Sequence, residues 1–131
     1  MAQEDEMRPD TAEVIWFEAL RRDDVPRVGG KNASLGAMVG NLAAKGVNVP
    51  PGFATSAAAY WRFVDGNGLR DVIASALADL ASGKVALAEA GLAIRRAFLR
   101  GEWPKQTAAA ITRAYHELCQ RVGKPAADVA V

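Results

Sequence analysis

Alanine supplies 27 of the 131 residues, against 30 for leucine, isoleucine, valine and phenylalanine together. Those four large residue types make up about 23% of the chain, just above the level at which a chain stays disordered. The chain can fold, but only around a thin core in which alanine takes many of the inward positions. Alanine is also the strongest helix former, so a predominantly helical chain is expected.

Charge and cysteine content exclude several classes. Lys and Arg total 16 and Asp and Glu 15, for a net charge of +1. A strongly basic nucleic-acid binder and an acidic tail protein are both disfavoured by that balance. One cysteine cannot form an internal disulfide, which excludes a secreted disulfide scaffold. Residues 1–12 read as a solvated, disordered tail. They carry neither the basic nor the apolar region of a secretory signal. No window approaches the ~18 apolar residues that span a bilayer. The expectation is a cytoplasmic chain with neither nucleic acid nor membrane as a partner.

Periodicity then places the elements. Val14-Ile15-Trp16-Phe17 suits a short buried strand. Arg21-Arg22-Asp23-Asp24-Val25-Pro26 reads as a charged loop, and Gly29-Gly30 punctuates the backbone. A helix opens at Lys31 or Asn32 and runs to about Lys45, with Leu35, Met38, Val39 and Leu42 on one face and Gly46 as its positive-φ terminator. Val47–Phe53 is extended, because residues before proline avoid the α region. Ser56 caps a helix over 57–65, with Tyr60, Phe63 and Val64 facing inward. Three further helices are expected over 69–81, 84–100 and from Pro104 to about 122, with Pro104 as the first residue of the last. Leu69, Val72, Ile73, Leu77 and Leu80 mark the inner face of the first. Leu87, Ile94 and Phe98 mark that of the second, and Ile111, Tyr115, Leu118 and Val122 that of the third. Asp128–Val131 resembles the start of a strand. Its apolar character at the last residue of the sequence suggests a truncated domain whose open sheet edge would promote self-association.

The segment Val28-Gly29-Gly30-Lys31-Asn32-Ala33-Ser34-Leu35-Gly36 carries the chemistry. Glycines let the backbone approach a ligand, the first turn of a helix has unpaired N–H donors, and Lys31 adds a full charge on a flexible stem. Together these can bind an anion such as a phosphate. A tight turn with a solvated lysine is the plainer reading, and spacing alone leaves both open. The segment is not a Walker A loop, which would need Gly at Val25 and Ser or Thr at Asn32. The spacing of Gly29, Gly30 and Gly36 also fails the dinucleotide fingerprint.

With its surroundings the segment becomes specific. Trp16-Phe17, then Asp23-Asp24-Val25-Pro26-Arg27 leading into Val28–Gly36, then Leu42, Gly46-Val47 and Val49-Pro50-Pro51-Gly52-Phe53-Ala54-Thr55, resembles the nucleotide-binding domain of the phosphoenolpyruvate synthase, pyruvate phosphate dikinase and rifampicin phosphotransferase family. The likeness is close over residues 14–70 and looser beyond. It implies an α+β fold, a partial ATP-grasp domain with a small sheet and about five helices over residues 13–131. In such enzymes ATP, with Mg2+, phosphorylates a histidine on a mobile domain, and the phosphohistidine passes phosphate to pyruvate, giving phosphoenolpyruvate, AMP and phosphate. The family's phosphate-contacting lysine corresponds to Lys31, and Gly29, Gly30 and Asn32 complete the expected phosphate-binding set. Pro50–Phe53 is expected to be a structural turn. In the family a strand like 128–131 runs on into an Arg-Ser-Ser segment. Neither that segment nor the magnesium carboxylates, the phosphohistidine domain or the pyruvate barrel falls within these residues. No complete catalysis is therefore expected of them, and no catalytic residue is assigned.

Two other readings compete. The acceptor could be an antibiotic instead of pyruvate, because acceptor choice resides outside this segment. The chain could also be a standalone helical interaction module with a vestigial loop. His116 and Cys119 stand three apart on a helix, yet a structural zinc site needs four ligands, so a surface histidine and a semi-buried cysteine are expected. Arg95, Arg96 and Arg100 read as cations of a last helical turn, and Trp61 and Trp103 as core or cover residues.

Overall fold

The computed structural model describes residues 12–131. Of the expected tail over 1–12, all but Ala12 lies outside the described residues. In chain order the elements are β1 (Val14–Trp16), α1 (Val25–Val28), α2 (Gly30–Ala43), β2 (Phe53–Thr55), α3 (Ala57–Gly66), α4 (Leu69–Ala81), α5 (Leu87–Arg100) and α6 (Lys105–Val122). Short 3-10 turns occupy Phe17–Ala19 and Arg22–Asp24. The described residues are mostly helical with one small sheet, an α+β arrangement. They divide into two compact units: the residues up to Ala59 together with Gln106–Val131, and Tyr60–Lys105.

In the first unit β1 and β2 pair antiparallel, with Val14 opposite Thr55, Ile15 opposite Ala54 and Trp16 opposite Phe53. The Phe17 N–H donates to the Gly52 carbonyl at 3.0 Å, which ties the segment leading into β2 to the end of β1; Pro50–Phe53, expected as a turn, carries no turn, and Phe53 already belongs to β2. Phe17 itself opens a 3-10 turn, so the expected strand is one residue shorter. Ile15, Leu20, Val28, Ala33 and Ala54 form the core, with Phe17 packed against it. Ser56 caps α3 as expected: its Oγ accepts the Ala59 N–H and donates to the Ala12 carbonyl. On α6, buried Thr107 donates to the carboxylate of buried Glu13 at 2.9 Å. Arg121 lies over the Trp16 ring, 3.6 Å from its centroid, and pairs with Glu18 and Glu117.

The second unit is helical. Here α4 and α5 pack on one another. The rings of Tyr60, Phe63, Phe98 and Trp103 form a chain of contacts with centroids 5.2–6.2 Å apart. Asn67 fastens the end of α3: its Nδ2 donates to the Phe63 and Glu102 carbonyls, and its Oδ1 accepts the Glu102 N–H. Trp61 and Trp103 are exposed cover residues, with Arg70 over the Trp61 ring.

Several expectations need correction. The charged stretch before Gly29 is a 3-10 turn followed by α1. The Asp24 carboxylate accepts the Arg21 N–H at 2.8 Å and the Arg27 guanidinium at 2.7 Å, so side-chain bonds organise what reads as loop. On α2 the deeply buried residues are Ala33 and Gly36, while Met38 is 47% exposed. A Cβ on Gly36 would collide with the Leu20 side chain, so the helix meets the rest of the unit through its smallest residues. Leu77 on α4, Leu87 on α5 and Tyr60 on α3 are likewise exposed, and Ala90 takes the buried place on α5. Helix α5 begins at Leu87, not Lys84. Gly83, at φ +73°, ends α4 with the Lys84 N–H bonded to the Asp79 carbonyl, which holds Lys84 outside the next helix. Of the three arginines only Arg100 lies in the last turn of α5. Pro104 precedes the first residue of α6. Residues 128–131 form no strand in this structure; the Tyr115 hydroxyl holds the preceding stretch through the Ala127 carbonyl.

Candidate phosphate-binding site

The Gly-Gly-Lys segment is the junction between α1 and α2. Gly29 separates them with φ 80° and ψ 163°, a conformation essentially confined to glycine. Its N–H closes α1 on the Val25 carbonyl at 2.8 Å, and its carbonyl receives the Ala33 N–H at 3.1 Å to start α2. Gly30, Lys31 and Asn32 are thus the first three residues of α2. Their N–H groups have no partner within the helix, and Gly29 has no side chain to cap them. No atom lies within 4 Å of the Cβ position of Gly29 or Gly30, so the approach is open.

The charge pattern reinforces this. First turns usually gain from acidic residues, yet that of α2 has none and carries Lys31 instead. Lys31 is exposed, and among the described residues it forms no ion pair. A helix start with three open donors, no cap and a cation is poorly satisfied alone and well matched to an anion. Asn32 differs from the other three expected site residues. Its side chain turns back, and Nδ2 donates to the Val28 carbonyl at 3.0 Å, leaving its backbone N–H for a ligand.

Behind the junction, Asp24 fixes the approach to α1. The Arg27 guanidinium, then the Arg21 N–H, hold its carboxyl below the usual carboxylate range. Reading the sequence as loop missed this support, although Asp24-Val25-Pro26 carries a helix-start signal, with proline inside the first turn of α1.

His116 is exposed and Cys119 buried on α6. Among the described residues no three His, Cys, Asp or Glu side chains gather as a metal site. Among the described residues no helix is long and apolar enough to cross a membrane.

Residues 25–131 match the protein family described as pyruvate phosphate dikinase, AMP/ATP-binding domain. The chain belongs to that family. The match begins at α1 and takes in the whole junction. Among curated relatives, the phosphoenolpyruvate synthase of Neisseria meningitidis is 50% identical over 119 residues, which is 90% of this chain and 15% of that protein. The Synechocystis enzyme of the same name is 42% identical over 127 residues, 93% of this chain and 16% of its own length. That of Escherichia coli is 42% identical over 106 residues, 80% and 13% respectively. The chain thus spans about 15% of the length of these relatives.

Proposed function

We propose that this chain supplies the phosphate cradle of the ATP site of a phosphoenolpyruvate synthase. The observation that carries the reading is the α1–α2 junction. Three open N–H groups and an unpaired lysine meet there, inside residues that match an AMP/ATP-binding family. The N–H groups of Gly30, Lys31 and Asn32 hold phosphate oxygens, Lys31 Nζ neutralises their charge, and Gly29 sets the break that exposes them. Phosphoryl transfer relies on such positioning and charge neutralisation, and the nucleotide brings magnesium as its own counter-ion.

The wider reaction is that of the named relatives. ATP phosphorylates a histidine outside these residues, and the phosphate reaches pyruvate, giving phosphoenolpyruvate, AMP and phosphate. The shared name of the relatives supports pyruvate over an antibiotic as acceptor. We place the two-stranded sheet and its helices within an ATP-grasp domain, in a cytoplasmic enzyme.

Calorimetry of ATP with magnesium on the 131-residue chain and on Lys31→Ala tests the cradle. The expected result is binding by the wild type and a loss of at least about tenfold in the variant, the size of one charge-assisted hydrogen bond. Equal affinity of the two removes Lys31 from the site. Absence of binding by either overturns the reading that the cradle works within this chain.

A further inference from the structure

The cradle exists only because α1 and α2 are not one helix. In an unbroken helix the N–H groups of Gly30, Lys31 and Asn32 would donate to the carbonyls four residues earlier, those of Pro26, Arg27 and Val28. Gly29 interrupts that ladder and frees all three donors. The break also deprives the Val28 carbonyl of the Asn32 N–H, and Val28 is buried, 8% exposed. A carbonyl in so little-exposed a residue gains from a protein partner, and the bond it makes is part-buried.

We propose that the Asn32 side chain is the positioning residue that keeps this break open. Its Nδ2, 3.0 Å from the Val28 carbonyl, stands in for the N–H of the same residue. The substitution is chemically matched, one amide N–H for another on the same acceptor. It satisfies Val28 while the backbone N–H of Asn32 points to a ligand. Without a donor at position 32, the protein group best placed to replace it on the Val28 carbonyl is the backbone N–H of the same residue, and that exchange withdraws the N–H from the cradle. This role rests on the phosphate-binding reading above and adds to it how the donors are kept available.

The test uses amide NMR spectra of the 131-residue chain titrated with inorganic tripolyphosphate, which isolates the phosphate tail from adenine. Wild type, Asn32→Ala and Asn32→Ser are compared. Serine retains a donor for the carbonyl four residues back, as Thr112 Oγ1 does for Ala108 at 2.8 Å. The signals of residues 30–32 are expected to shift in the wild type. Affinity should fall roughly tenfold in Asn32→Ala and recover to within about threefold in Asn32→Ser. Hydrogen exchange at the residue 32 amide should slow in Asn32→Ala without ligand, as that N–H turns to Val28. A purely structural role would not protect this amide. If the alanine variant fails to fold, Asn32→Leu, of similar size and without a donor, takes its place.

Wild-type affinity in the donor-less variant overturns the proposal and leaves the phosphate reading standing. So does weakened binding with no new protection at residue 32. A wild type whose residue 30–32 signals do not respond overturns the phosphate reading and this proposal with it.

Discussion

In the unit that carries the Gly-Gly-Lys junction, small residues hold the tightest positions; in the Tyr60–Lys105 unit, aromatic rings do much of that work. Gly36 lets α2 come close to the backbone of the turn after β1, at the Phe17 and Leu20 carbonyls, and Ala33 and Ala54 are buried in the same core. Tyr60, Phe63, Phe98 and Trp103 instead fill space with large surfaces that remain partly exposed. A helix end set by backbone contact is placed more rigidly than one set by a stack of half-buried rings. The unit that carries the proposed phosphate cradle uses the first kind of packing.

The largest expected effect that would break this contrast is at Gly36. Gly36→Val places side-chain atoms against Leu20 and the Phe17 carbonyl, and overpacking of that kind costs about 3 kcal/mol or more. Urea unfolding should show it, and a loss under 1 kcal/mol would mean that α2 is not held by close approach. Phe63→Ala should cost about 2 kcal/mol, below the range for a fully buried phenylalanine because Phe63 is only half-buried. The same unfolding curves measure it.

Gly91→Ala should act in the opposite direction. It sits within α5, where a Cβ meets only the mobile end of Arg95 at 3.2 Å. Removing a mid-helix glycine should therefore stabilise by about 0.5–1 kcal/mol. A loss at Gly91 comparable to that at Gly36 would erase the difference between the units.

The smallest effect concerns Asp24. Because its native pKa is lowered by Arg27 and the Arg21 N–H, its contribution is complete above the ordinary carboxylate pKa. It disappears as pH falls through the native value. Asp24→Asn should cost under about 1 kcal/mol at pH 7, with the gap from wild type closing only as pH falls below the ordinary carboxylate range. A gap that persists unchanged in acid would show that the charge is not what holds the turn.

Much of this was legible before any coordinates. The cap at Ser56 and the stop at Gly46 act locally, so residue type alone reveals them, and Gly46 adopts positive φ. The backbone break at Gly29-Gly30 was legible for the same reason, since a glycine pair marks it and Gly29 takes positive φ. Helix α1 and the role of Asn32 were not. Both depend on bonds that side chains make to a turn whose geometry the sequence leaves open. The inward faces of α2, α4 and α5 were read correctly at Leu69 and, as partly buried positions, at Leu35, Ile73 and Phe98, but not at Met38, Val72, Leu77 and Leu87, because periodicity ranks residues by hydrophobicity, whereas a crowded interface selects by size.

The sequence by itself therefore determined the helical character, the cap at Ser56 and the stop at Gly46, because each follows from local backbone chemistry. Only the tertiary structure decided which helix faces are buried, that residues 128–131 form no strand, and that Asn32 turns back to Val28. Those outcomes depend on how closely distant segments approach and on which carbonyls are left without partners when they do.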